Sequence, residues 1–439
     1  MEADDNMTPT TPIVGVDNNN FRVDFIAKSV VKAAAAAAQN KPHILPLSNL
    51  DLLAGRFPVT YFYFFRNPNH PVEAASTGLS PSVIDHFKSS LSRCLSLFYP
   101  FAGRIVANPA TAYPEISCDN RGVLVVEARA NIPLKELPFH DLNRCLEGGL
   151  MLVPAHQSAA DGDFAVQAQI TGYACGGVSL TVSFDHALGD ASSLGKFLLT
   201  WSELAREMPP SCSPDHRRFL LRPRRQNTCL DEKFVSCTVE EMPTTALSRR
   251  MLKRLYHVDA SSINKLQVLS GGSRTKIEAF SAYLWKVMAT LGGTGGGHDD
   301  DKISCKMGWV VDGRRRMDDL LSEDYIGNVL SHAGPGRLMF SKLVLGGGLA
   351  DADDGPVLMV SSARRFPVAQ LDFGFGGPVL GTVCTTAENI GVGYVSQRES
   401  ALGDGSWTVS AVLWPEMVAA LESDPERVFR PMTADIIHL

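Results

Sequence analysis

Val178-Ser179-Leu180-Thr181-Val182-Ser183-Phe184-Asp185-His186-Ala187-Leu188-Gly189-Asp190-Ala191-Ser192-Ser193 is the stretch on which the reading of this chain turns. Val178 to Val182 is an apolar, strand-like run, and Leu194 to Glu203 behind the stretch is helix-like. Between them a histidine and an aspartate stand four apart on a turn that contains a glycine. A histidine at a strand end is well placed to act as a general base, because the strand fixes it and the turn exposes it. The aspartate can lock the turn or orient the ring. The bland alternative is a surface histidine beside a helix-capping aspartate. With 11 His in 439 residues, chance supplies about half a His-x-x-x-Asp match per chain, so the neighbours must decide.

Working outward, 439 residues are too many for one ordinary core, and two domains of about 200 residues each are expected. A hydrophobic share of 45% with 20% charged residues describes a globular chain. A net charge of −6 speaks against nucleic acid as a partner. Local basic patches occur at Arg217-Arg218, Arg222 to Arg225 and Arg314 to Arg316. The N-terminus, Met1-Glu2-Ala3-Asp4-Asp5, is acidic where a secretory signal would be basic, so no signal is expected. No segment has the roughly 18 apolar residues of a membrane span. Nine scattered cysteines without a C-x-x-C pair read as reduced thiols of a cytoplasmic protein, with no metal site.

Residues 1–20 are polar and unpatterned and read as a disordered tail. Strands are expected at Phe21–Ile26, Thr60–Arg66, 115–128, 164–184, Ile303–Val311, Ile390–Tyr394 and Trp407–Trp414. Helices are expected at Ser82–Leu97, up to Glu207, and at Lys276–Thr290. Met208 to Gln226, rich in Pro, Ser and Arg, reads as the crossover between domains 21–207 and 227–439. Gly292–Asp301 and Gly346–Gly355 lack a Gly-Lys-Ser/Thr ending and carry aspartates, so they read as surface loops rather than phosphate cradles. Mixing of strands and helices in both halves implies an α/β or α+β fold with large mixed sheets. His43, His86 and His140 read as surface or capping residues, and His156 is a weak candidate for the site. Trp285, Trp309 and Trp414 lie among apolar neighbours and are expected in the core.

Further landmarks keep a fixed order. They are Tyr99-Pro100-Phe101-Ala102-Gly103-Arg104, Cys175-Gly176-Gly177, the His186/Asp190 turn, Val311-Asp312-Gly313-Arg314-Arg315-Arg316, Tyr325-Ile326-Gly327-Asn328 and Asp372-Phe373-Gly374-Phe375-Gly376. Together, over about residues 42 to 415, they resemble the BAHD family of plant acyl-CoA-dependent acyltransferases. The resemblance implies two chloramphenicol-acetyltransferase-like domains with an active-site channel between them. Coenzyme A would enter one face and an alcohol or amine acceptor the other. It also implies His186 as general base, no metal, no bound cofactor beyond acyl-CoA as co-substrate, and a monomer. Asp190 would turn away from the substrate and hold the turn through an arginine, Arg314 or Arg316, which could instead meet the coenzyme A phosphates. Asp372, Gly374, Phe375 and Gly376 would form a structural loop on the coenzyme A side.

The chain departs from the family pattern in three places. Ala191 stands where a Gly is usual, and Phe375 where a Trp is usual. Ala363, after Ser361 and Ser362, stands where a Trp often precedes the second signature. If Ser361 and Ala363 line the acceptor pocket, that pocket is wider than in hydroxycinnamoyl:shikimate transferases. Family frequency favours a hydroxycinnamoyl or other aromatic or aliphatic acyl group in plant specialised metabolism. Two rival readings are a non-catalytic accessory protein and a lyase working without coenzyme A.

Overall fold

The computed structural model describes residues 21–34, 42–47, 51, 56–66, 79–110, 113–152, 164–216, 234–237, 251–292, 305–310, 338–341, 356–363, 366–385 and 392–439. The tail 1–20, His156, most of the two Gly/Asp loops, Val311–Arg316 with Arg314 and Arg316, and Tyr325–Asn328 lie outside the described residues.

The first half supplies strands β1 (Val23–Val31), β2 (His43–Pro46), β3 (Pro58–Phe65), β4 (Arg104–Ala107), β5 (Pro114–Cys118), β6 (Val123–Ala130), β7 (Val166–Gly172) and β8 (Val178–Asp185). Its helices are α1 (Pro81–Leu97), α2 (Leu142–Glu147) and α3 (Ala191–Ala205). The second half supplies β9 (Phe234–Cys237), β10 (Leu252–Val258), β11 (Lys306–Val310), β12 (Leu338–Ser341), β13 (Val357–Ser362), β14 (Leu380–Cys384), β15 (Gly393–Glu399), β16 (Trp407–Leu413) and β17 (Arg430–Pro431). Its helices are α4 (Ala260–Leu269), α5 (Lys276–Gly292) and α6 (Pro415–Ser423).

Two six-stranded mixed sheets result, in the orders β1-β6-β7-β8-β3-β14 and β11-β13-β15-β16-β10-β17. In the first only β6 and β7 run parallel; in the second β13 runs parallel to β11 and β15. The mixed α+β architecture anticipated from the sequence is present. One feature escapes a simple division into halves: β14 comes from the second half yet pairs with β3, closing the edge of the first sheet.

The aromatic run of β3 shows why that edge is closed. Tyr61, Phe62, Tyr63, Phe64 and Phe65 are all buried. A strand with no polar alternation must be covered on both faces. Tyr61, Tyr63 and Phe65 face a core with Phe87 and Leu91 of α1 and Phe197 and Trp201 of α3. Phe62 and Phe64 face the opposite cluster with Phe139, Leu142, Leu255 and Leu380. Each such side chain, fully buried, contributes roughly 1.5–3 kcal/mol. The second sheet has its own core, where Phe280 and Leu284 of α5 and Leu421 of α6 meet Tyr256, Val395 and Val409.

Several sequence expectations are corrected. The stretches 115–128 and 164–184 are each two strands, divided by turns at which Gly122 (φ 91°) and Gly176 (φ 81°) take left-handed backbone angles. The strand expected at Ile390–Tyr394 begins, among described residues, at Gly393 and runs on to Glu399. Trp285 and Trp309 are 47% and 51% exposed rather than core, while Trp414 is buried. Trp285 lies on the outer side of α5 and Trp309 on β11, the edge strand of its sheet; their indole N–H groups donate to Cys305 Sγ and Ser281 Oγ. Apolar neighbours in sequence do not reveal which face of a helix or which strand of a sheet is outermost. His43 is exposed, whereas His140 joins the halves, with Nε2 3.0 Å from Glu422 of α6.

Candidate active site

β8 carries its apolar alternation straight into the turn and ends at Asp185, one residue before His186. Pairing of β8 with β3 sets Asp185 opposite Pro58, which brings Arg56 and Phe57 beside the histidine. The backbone N–H of His186 donates to the carbonyl of Phe57 at 2.9 Å. The Phe57 ring stacks on the imidazole, with centroids 4.7 Å apart and planes at 24°. Asp185 is buried; its Oδ1 accepts the Ala187 N–H at 2.9 Å, and its Oδ2 accepts Arg56 Nε and Nη2, both at 2.8 Å. The residue preceding the histidine is thus tied to the turn on one side and to β3's approach on the other.

His186, Ala187 and Leu188 form a single 3-10 turn. Gly189 is needed for closeness: a Cβ there would stand 2.8 Å from Cβ of Ser193. Asp190 then caps α3, its Oδ1 accepting the N–H and the hydroxyl of Ser193 at 3.0 and 3.1 Å. That bond starts the helix and fixes where the turn ends. The histidine and aspartate of the motif therefore sit differently: the aspartate caps α3, and the histidine stands in the 3-10 turn before it.

The imidazole is half-buried, and its Nδ1 is enclosed within the protein. Burial pulls the His186 pKa below its ordinary value, against an upward pull from Asp190, Asp185 and Asp51. Among the described residues no cluster of His, Cys, Asp and Glu is arranged to hold a metal ion, and no helix is long and apolar enough to cross a membrane.

The remaining sequence candidates fall in two places. In the second signature, Asp372 Oδ1 accepts the N–H groups of Gly374 and Gly376 at 2.8 and 3.0 Å, and both glycines have positive φ, 93° and 81°. Phe373 and Phe375 are buried in the first core, against Trp201 and Phe65. Ser361 lies on β13 opposite Ser396 of β15, and the Ala363 N–H donates to the carbonyl of Gln397 at 2.8 Å. Arg104 of the Tyr99–Arg104 landmark is buried over the Phe164 ring and donates to the carbonyls of Gly103 and Gly122, a structural role.

Sequence reasoning missed Arg56, Phe57 and Asp185, and also Tyr61 and Arg398. Tyr61 lies beside Phe184, stacks on Phe366 at 4.8 Å, and sits in the field of both Asp190 and the Arg398 guanidinium. The available signals were an arginine and an aromatic just before an aromatic strand, an aspartate preceding the histidine, and an arginine inside a strand otherwise buried.

A family model described as the Transferase family matches residues 21–336 and 344–428. The chain is 27% identical to an oat (Avena sativa) hydroxycinnamoyl-CoA:5-hydroxyanthranilate N-hydroxycinnamoyltransferase, over 91% of this chain and 97% of that enzyme. It is 27% identical to putrescine hydroxycinnamoyltransferase 1 of rice (Oryza sativa subsp. japonica), over 90% and 97%, and 26% identical to a tobacco (Nicotiana tabacum) shikimate O-hydroxycinnamoyltransferase, over 82% and 89%. Among solved structures, vinorine synthase matches 93% of this chain and 99% of its own, with a TM-score of 0.64 at 21% identity.

Proposed function

The chain belongs to the Transferase family, the BAHD acyltransferases, and on that premise we propose that it moves an acyl group from coenzyme A to a hydroxyl or amine of a small specialised metabolite, with His186 as the base. The observation that carries this is the seating of His186 at the end of β8, with the Phe57 ring stacked on it, Asp185 tied into its turn, and burial holding its pKa below the ordinary value.

In this reaction Nε2 accepts the proton of the acceptor O–H or N–H as that atom attacks the thioester carbonyl. The tetrahedral intermediate collapses, the C–S bond breaks, and the imidazolium returns the proton to the departing thiolate. General-base assistance of this kind is worth about 10²–10⁴ in rate. Phe57, stacked on the ring, keeps it from rotating away. Asp190 holds the turn, and the Asp372–Gly376 loop acts as structure for the coenzyme A side.

A hydroxycinnamoyl group is the acyl group of choice, supported by the names of the oat, rice and tobacco relatives, whose acceptors include both amines and an alcohol. The protein works as a monomer in the cytoplasm, with its site between two domains of its own chain, 21–207 and 227–439.

Thiol release from a panel of acyl-CoAs with pooled alcohols and amines tests the reading, using wild type and His186→Ala. The expected result is acceptor-dependent release in the wild type, reduced about 10²–10⁴-fold in the variant. Equal release by both proteins would remove His186 from the chemistry. Turnover without coenzyme A would establish the lyase reading instead.

A further inference from the structure

Arg398 lies near the end of β15 and is 1% exposed, among the largest fully buried side chains of the protein. Its Nε and Nη1 have no hydrogen-bond partner among the described residues, and Nη2 reaches only Ser396 Oγ at 3.4 Å. The guanidinium lies over the Tyr61 and Phe366 rings at 5.5 and 5.6 Å from their centroids. The Tyr63 hydroxyl, also buried without a partner, sits within its field.

A guanidinium cannot shed its proton, and a dry interior does not tolerate it uncompensated. Cation–π contacts at the outer limit of their range offset only part of that cost. The guanidinium is therefore a buried cation with hydrogen-bonding capacity left over for an anionic group.

The surroundings point to a small substrate. Ser361 and Ser410 flank Ser396, and Thr408 stands opposite Arg398, so the sheet around the guanidinium is rich in hydroxyls. Tyr394 lies two residues before Ser396 on the same strand and shares its face of the sheet. Ser361 and Tyr394 are only half-buried, so this polar region reaches solvent at one end. At the other end Tyr61 joins it to the catalytic turn, beside Phe184 and in the field of Asp190.

We propose that Arg398, with the Tyr63 hydroxyl, binds a carboxylate carried by the small substrate of the acyl transfer. This rests on the acyltransferase reading and narrows it. One cation with neutral hydroxyls matches one carboxylate, whereas a polyphosphate would bring more charge than the cluster can meet. A protonated amine would be repelled. The carboxylate can belong to the acceptor or to the far end of a dicarboxylic acyl group.

The test pairs acids with their methyl esters. Quinate, 3-hydroxybenzoate and tyrosine, each beside its ester, are offered with p-coumaroyl-CoA. Malonyl-CoA and acetyl-CoA are compared with benzyl alcohol. The expected result is at least a tenfold preference in kcat/KM for the carboxylate form in one arm, and that arm names its source. In Arg398→Met the preference disappears through a rise in KM for the carboxylate form that exceeds any change for the uncharged partner. Tyr63→Phe weakens the preference without abolishing it, and Arg398→Lys keeps part of it. The proposal fails if acid and ester are used alike by the wild type, or if the variants lose both forms equally.

Melting shifts of the wild type and variants with the same acids and esters give a readout that does not need turnover. If no acceptor releases thiol, the acyltransferase reading falls by itself. The carboxylate site then stands or falls on whether acids raise the melting temperature of the wild type but not of Arg398→Met. A fall in melting temperature in Arg398→Met without ligand, with no selective loss of acid binding, would make Arg398 a tie between the sheets and overturn the proposal.

Discussion

Asp185 and Arg56 act on His186 in opposite senses. The Asp185 carboxylate raises the proton affinity of the imidazole, and the Arg56 guanidinium bonded to that carboxylate is expected to offset the pull by Coulomb attraction. Removing Arg56 as Arg56→Gln bares the carboxylate and raises the proton affinity of the base. Removing the charge as Asp185→Asn lowers it. A general base works only when neutral, so with His186 in the proposed role activity is expected to fall as pH drops through its pKa. The acidic limb of the kcat/KM profile is therefore expected at higher pH in Arg56→Gln and at lower pH in Asp185→Asn. Coincident limbs in the two variants would show that the pair has no electrostatic hold on the base. Stability carries a matching sign. The folded-state pKa of His186 lies below 6.5, so protonation disfavours the fold, and stability is lost as pH falls below about 6.5. Breaking a buried ion pair from one side costs about 3–5 kcal/mol, and less at Arg56, whose side chain is 35% exposed. His186 was legible in the sequence because a strand, a turn and a helix start adjoin it. The pair was not, because its partners are 129 residues apart and meet only through the register of β3 on β8.

At the scale of elements, the Asp372–Gly376 loop shows how a motif can be legible while its packing is not. The glycines announce a sharp turn, and the structure gives both positive φ with the Asp372 carboxylate bridging their N–H groups. The ring at position 375 belongs to the first core, 4% exposed and 5.6 Å from the Phe65 centroid. The usual family tryptophan would need more room than this core leaves. Phe375→Trp is expected to lower stability by about 1–3 kcal/mol, the ordinary cost of overpacking, measured as a shift in the urea midpoint at unchanged m. A variant at least as stable as the wild type would mean that the loop has slack beside Phe65. The tryptophans teach the same lesson in reverse. The sequence neighbours of Trp285 and Trp309 point to the core, yet an outer helix side and an edge strand leave them half-exposed. Periodicity identifies an element and its apolar face; it does not report what lies beyond that face.

At the scale of the molecule, the two large mixed sheets were legible in the mixing of strands and helices along both halves, but the way the halves interlock was not. β14 crosses to complete the first sheet beside β3. A third apolar cluster draws Phe139 and Leu142 from the first half and Leu255, Leu380, Met432 and Ile437 from the second. Arg254 of β10 pairs with Asp141 at 2.9 Å, and the Leu255 N–H donates to the carbonyl of His140. Neither half can bury its own apolar surface alone: without β14 and this cluster, Phe62 and Phe64 would lose the side chains that cover them. A two-domain chain of this length could unfold in two steps. Shared cores predict one. Urea unfolding followed by near-UV circular dichroism and by tryptophan fluorescence is expected to give coincident midpoints, and residues 21–216 expressed alone are expected to show no cooperative transition. A folded fragment with its own sharp midpoint would mean that β14 is an addition to the first sheet and not part of what holds it, and that the site's frame, from β3 to the His186 turn, stands without the second half.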